Sequence, residues 1–78
     1  MDLQEFGKRL RYIRQKRNLT VPQIAEALHV TRNTVYKWEQ GKAMPSILTL
    51  FQLAKILNVS VDWLVGLPVK KKTEGAEK

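Results

Sequence analysis

The chain has 78 residues, 14 Lys or Arg against 7 Asp or Glu, a formal charge of +7, and no cysteine. That length suits one small domain, and without cysteine it has no disulfide staple, thiolate nucleophile or cysteine-ligated zinc and must close on apolar packing alone. No apolar run approaches the ~18 residues of a membrane span, and the opening MDLQEFGKRL lacks the apolar stretch of a signal peptide, so a soluble, cytoplasmic protein is expected.

Asp2 with Glu5 three residues on reads as a capping box opening a first helix. Leu3, Phe6, Leu10 and Ile13 form its apolar stripe, and it should end near Asn18. The same helix carries Lys8, Arg9, Arg11, Arg14, Lys16 and Arg17. Thr20 caps a short second helix, with Pro22 in the first turn, where a missing N–H costs nothing. Val21, Ile24, Ala25 and Leu28 face inward there, and the helix stops around His29–Val30. Thr31 caps a third helix to about Gln40, with Val35 and Trp38 inward and Gly41 as the C-terminal stop. After a loop over 42–45, Ser46 caps a fourth helix that places Ile47, Leu50, Leu53, Ala54 and Leu57 on one face. Ser60 caps a last short helix through Val61, Trp63, Leu64 and Val65, ended by Gly66 and Pro68.

Strand signals are absent, with neither a sustained period-two run nor a hairpin dipeptide. The expectation is an all-α domain of five helices over residues 1–66. Residues 67–78 are polar, charged and aperiodic, which predicts a disordered tail. Without that tail the chain keeps ten basic and five acidic residues. A polyanion partner fits this charge, but basicity alone also serves solubility.

The spacing of the second and third helices says more. Two short helices about three residues apart, with small Ala25 inside the first and Val35 inside the second, suit a pair packed at a steep angle. The outward face of the third helix is left with Arg32, Asn33, Tyr36, Lys37 and Gln40, and its only acid is Glu39. Arg and Lys donate to guanine O6 and N7, and Asn pairs with adenine N6 and N7, so these residue types read base edges. A solvated face more often mixes Glu among its Lys.

The ordered set of short motifs resembles the phage-repressor and Cro family of helix-turn-helix proteins. The matching pieces are Gly7-Lys8-Arg9-Leu10-Arg11 with Arg14, then Leu19-Thr20, Ile24-Ala25 and Val30-Thr31. Trp38-Glu39-Gln40-Gly41-Lys42, Pro45-Ser46 and Asn58-Val59-Ser60-Val61-Asp62-Trp63-Leu64 follow. The resemblance covers about residues 3–66. It implies a lambda-repressor-like five-helix domain with the third helix in the major groove and the second across the backbone. Carried over by position, the base readers are Arg32, Asn33, Lys37 and Tyr36; Tyr36 can touch a thymine methyl or a sugar, or rest on its neighbours. Phosphate contacts are expected from Arg11, Thr34, the Gln40–Gly41 backbone and Lys42. Arg14 and Glu39 match positions that form a partly buried ion pair tying the first helix to the end of the third.

Two departures stand out. Val21 occupies a position where many members place Gln against a phosphate, and Gln23, two residues on, should point elsewhere. His29 replaces a usual Gly in the turn, where a left-handed backbone is needed; His tolerates it better than most residues. The family also implies a homodimer reading a palindromic operator, its two recognition helices about 34 Å apart. Leu48, Phe51 and Ile56, outside the core stripe of the fourth helix, are the candidate surface. The expected role is transcriptional repression on nucleoid DNA.

Rival readings are weaker. With one His, no Cys and each acid assigned to a cap, a pair or the surface, no acid–base pair or metal cluster remains for an enzyme, and neither cofactor nor metal is expected. An RNA-binding adaptor lacks its aromatic platform, because Trp38 and Trp63 sit at core-periodic positions. An antitoxin would need its tail to fold on a partner, yet that tail has no apolar anchors. A lipid-binding first helix conflicts with the need for that helix in the core.

Overall fold

The computed structural model describes residues 2–67. The charged tail expected over 67–78 therefore lies outside the described residues, apart from an exposed Leu67. Five helices follow one another: α1 Leu3–Lys16, α2 Val21–Leu28, α3 Arg32–Glu39, α4 Ile47–Leu57 and α5 Val61–Val65. Among the described residues there is no strand, and no helix is long and apolar enough to cross a membrane.

Each helix opens on a side-chain oxygen. Asp2 accepts from the Gln4 amide, Thr20 from Gln23, Thr31 from Thr34, Ser46 from Thr49 and Ser60 from Trp63. Such caps contribute about 1 kcal/mol each, which matters because isolated helices this short are marginal in water. The capping box forms at α2 rather than α1. There Gln23 Oε1 accepts from the Thr20 amide at 2.8 Å, which is where Gln23 points. Glu5 has instead turned one helical turn forward to Arg9, its Oε2 2.9 Å from the guanidinium, so α1 keeps only the Asp2 half of its box. At the C-terminal ends His29, Asn58 and Gly66 adopt left-handed conformations, as does Asn18 after α1. His29 does so with φ of 59°, where the sequence asked for a residue tolerant of it.

The core is Phe6, Leu10 and Ile13 from α1, Val21, Ile24, Ala25 and Leu28 from α2, and Val35 and Trp38 from α3. Leu50, Leu53, Ala54 and Leu57 from α4 complete it, with Leu64 and Val65 from α5. Two residues assigned inward stay outside: Leu3, and Ile47, which is 62% exposed. Each is the first residue of its helix, and helical side chains lean back toward the N-terminus, here off the end of the packed surface.

Helix α1 is the hub. It packs on α3 and α5, while α2 bridges α3 and α4. Two of its arginines and the Arg17 that caps it donate to carbonyls outside the helix: Arg9 to that of Trp63 at 3.2 Å, Arg14 to that of Leu19 at 3.0 Å, and Arg17 to that of Leu57 at 2.8 Å. Arg9 also lies over the Trp63 ring, 5.2 Å from its centroid. Two of the five cations in α1, with Arg17 at its C-cap, therefore hold the fold, and Lys8, Arg11 and Lys16 face solvent.

Candidate nucleic-acid interface

Helix α3 owes its position to what lies behind it. Val35 and Trp38 are buried against the core, and Ala25 of α2 is small and buried where that helix passes. At the C-terminal end, Arg14 grips Glu39 with both arms of its guanidinium: Nε is 2.5 Å from Oε2 and Nη2 is 3.2 Å from Oε1. The two side chains retain only 14% and 7% exposure. With the third Arg14 contact on the Leu19 carbonyl, one residue ties α3, α1 and the turn before α2 together. Charge-assisted, two-point contacts of this kind fix orientation as well as distance.

With its back fixed, α3 presents Arg32, Asn33, Tyr36, Lys37 and Gln40, all exposed. At about 100° per residue they span an arc of about 140°, centred nearly opposite Val35 and Trp38. The side chains are long, polar or aromatic, and none bears negative charge. Hydrogen-bond donors and acceptors, with one ring, are thus aimed away from the protein by a helix that packing holds still.

The flanks are more varied. Arg11 is exposed on α1 and lines, with Arg14, Tyr36, Glu39 and Gln40, an open cleft between α1 and α3. Lys42 is exposed just beyond α3. Thr34 is half-buried, and its hydroxyl lies 2.8 Å from that of Thr31. The backbone after α3 differs from the sequence expectation. The Gln40 amide donates to the Tyr36 carbonyl, Gly41 to Trp38 and Lys42 to Lys37, at 2.9, 3.2 and 2.9 Å. These amides close the helix end on itself, so the Gln40–Gly41 backbone leaves no N–H free for a phosphate. What remains available there are the side chains of Gln40 and Lys42. Gly41 is required for another reason, its left-handed φ of 74°.

At the start of α2, Val21 is buried in the core and Gln23 is held in the capping box. This helix therefore brings no Gln side chain outward at its first residue. Among the described residues, no group of three or more His, Cys, Asp or Glu is placed to hold a metal ion.

One residue of this region was not legible beyond its place in a motif. Gly7 is buried in α1, and a Cβ there would fall 2.5 Å from the Glu39 carbonyl oxygen and 2.7 Å from that of Trp38. The backbones of α1 and α3 touch at this point. A glycine inside a helix leaves no trace in apolar periodicity, so spacing could not have flagged it.

Comparison with known proteins agrees with this geometry. The restriction-modification controller protein C.AhdI from Aeromonas hydrophila superposes with a TM-score of 0.74 at 30% identity, over 81% of this chain and 96% of that one. The DNA-binding domain of the P22 C2 repressor superposes equally well, TM-score 0.74 at 28% identity, over 83% of this chain and 86% of that one. In sequence, the chain is 39% identical over 62 residues to the HTH-type transcriptional activator BcrR of Enterococcus faecalis; the match covers 80% of this chain but only 30% of BcrR. The five-helix arrangement is thus the lambda-repressor-like one that the motifs implied. The family model described as Helix-turn-helix matches residues 10–64, and the chain belongs to that family.

Proposed function

We propose that this protein is a sequence-specific, double-stranded-DNA-binding transcriptional regulator that inserts α3 into the major groove. The observation that carries this reading is the exposed row Arg32, Asn33, Tyr36, Lys37 and Gln40 on a helix whose opposite face is locked by the core and by Arg14. Arg32 and Lys37 suit guanine, Asn33 suits adenine, and Tyr36 suits a thymine methyl or a sugar. Arg11, Lys42, Gln40 and Thr34 flank the row and supply phosphate contacts, which fix register without reading sequence. The Arg14–Glu39 pair is structural.

The protein acts as a homodimer on a palindromic operator. One α3 reads only a few base pairs, and the exposed apolar side chains of α4, Leu48 and Phe51 with Ile56, offer a self-complementary surface. Ile47, exposed beside them, extends that surface. The regulatory output is repression, because a domain that occupies DNA excludes other proteins from it. Its place of action is the cytoplasmic nucleoid.

Selection of bound sequences from a random duplex pool at about 150 mM salt tests this reading. An enriched inverted repeat is the expected result. A single enriched half-site removes the dimer and keeps the DNA reading. Retention without enrichment, vanishing as salt rises, would reduce the charge to a non-specific anchor and overturn the proposal.

A further inference from the structure

Helix α1 carries a second stripe besides its apolar one. Gln4, Gly7, Arg11 and Arg14 recur at steps of three, four and three, which places them on one face. Each meets the C-terminal half of α3 or the turn after it. A Cβ built on Gly41 falls 3.0 Å from Gln4 Cα, and one built on Gly7 falls 2.5 Å from the Glu39 carbonyl oxygen. Arg11 shares the cleft with Tyr36 and Gln40, and Arg14 holds Glu39. We infer that Gly7 is a positioning residue for base recognition: its missing side chain sets how closely, and at what pitch, α3 sits on α1.

This inference rests on the proposed DNA reading and deepens it. An ordinary contact needs at least 3.4 Å, so an alanine at position 7 forces the α3 carbonyls back by about 0.9 Å. Backbone atoms, unlike the end of a flexible side chain, cannot move aside alone; the helix moves with them. Donor–acceptor distances in good hydrogen bonds span only about 2.7–3.2 Å, so a shift of that size is enough to break a two-point contact with a base. Phosphate contacts from long cationic side chains adapt.

The test titrates the full 78-residue chain, wild type and Gly7→Ala, against the duplex selected by the wild type and against a scrambled duplex. It is run at a temperature where melts show both proteins folded. Loss of one bidentate base contact corresponds to roughly 5- to 160-fold weaker binding of the selected duplex. Affinity for the scrambled duplex should be unchanged. Val65→Ala in α5, away from the seat of α3, is the stability control and should preserve the ratio of the two affinities. Should Gly7→Ala not fold, Arg14→Lys carries the same expectation, since it keeps the charge and loses the two-point grip. An unchanged ratio in the folded variant overturns the inference and leaves the DNA reading standing. A wild type that prefers no sequence overturns both.

Discussion

Helices α3 and α4 both turn a broad face to solvent, and the two faces differ in chemistry. On α3 the exposed row is polar or cationic, with Tyr36 as its only aromatic residue. On α4 it is mainly apolar, with Leu48 71% and Phe51 54% exposed next to Ile47 and Ile56, and Gln52 and Lys55 set among them. Water solvates the first face readily, and for the second it is a poor partner. Each surface suits a different associate, a polyanion on one side and another apolar surface on the other. The supports differ as well. The end of α3 is clamped by an ion pair and by backbone contact with α1, whereas α4 is seated mainly by its buried Leu50, Leu53, Ala54 and Leu57. A fixed pitch suits the base-reading role proposed for α3, and the interface proposed on α4 tolerates adjustment.

Removing the clamp is the strongest way to break this contrast. Arg14→Ala leaves Glu39 almost buried without its partner and should destabilise the domain by about 3–5 kcal/mol in a denaturant titration. A midpoint equal to wild type would show that the pair does not secure α3. Next in size, Arg32→Ala or Asn33→Ala should weaken binding of the selected duplex by about 1–3 kcal/mol and relax preference at one base position. Stability should stay within about 0.5 kcal/mol, since both residues are exposed. A change in melting without a change in preference would reverse the roles assigned to this face.

The apolar side of the contrast is sharpened by Leu48→Glu. Folding stability of the monomer should move by no more than about 0.5 kcal/mol, while sedimentation shifts from two chains to one. If the mass is the same before and after, this face is not the interface. The smallest effect belongs to neither face. His29→Gly relieves a left-handed residue at a cost of about 1–2 kcal/mol and adds chain entropy worth about 0.5–1 kcal/mol to the unfolded state, for a net gain near 0.5 kcal/mol. A loss of stability would show that the His29 side chain contributes contacts of its own.

Much of this was readable from the chain. Caps at Asp2, Thr20, Thr31, Ser46 and Ser60 and the apolar spacing between them mark the helices, because both signals are local. The outward row of α3 follows from the same periodicity once Val35 and Trp38 are placed inside. Less legible was anything that depends on a neighbour distant in sequence. Arg14 and Glu39 lie 25 residues apart, and only the family resemblance paired them. Glu5 left its box for Arg9, and Gln23 entered one, because local hydrogen-bond choices compete at energies too close for a pattern to decide. Ile47 matched the periodicity of α4 yet lies past the end of the packed surface. The amides of Gln40 and Gly41 could be assigned outward only while the turn that consumes them was unseen.

The arginines of α1 carry a last consequence. Arg9, Arg14 and the C-cap Arg17 fasten α5, the α3 end and the C-terminal carbonyls of α4 to a single helix and its end, which ties the domain into one block. In the proposed dimer, two such blocks joined through α4 would have little freedom to follow a change in operator spacing. One added or missing base pair rotates a half-site by about 34–36°. A rigid dimer would not absorb that angle, and the DNA between the half-sites would be over- or underwound instead. Base pairs at the centre of such an operator, between the two recognition helices, would then acquire a preference for easily deformed steps. Specificity in such a complex reaches beyond the bases in contact, through the stiffness of three guanidinium anchors.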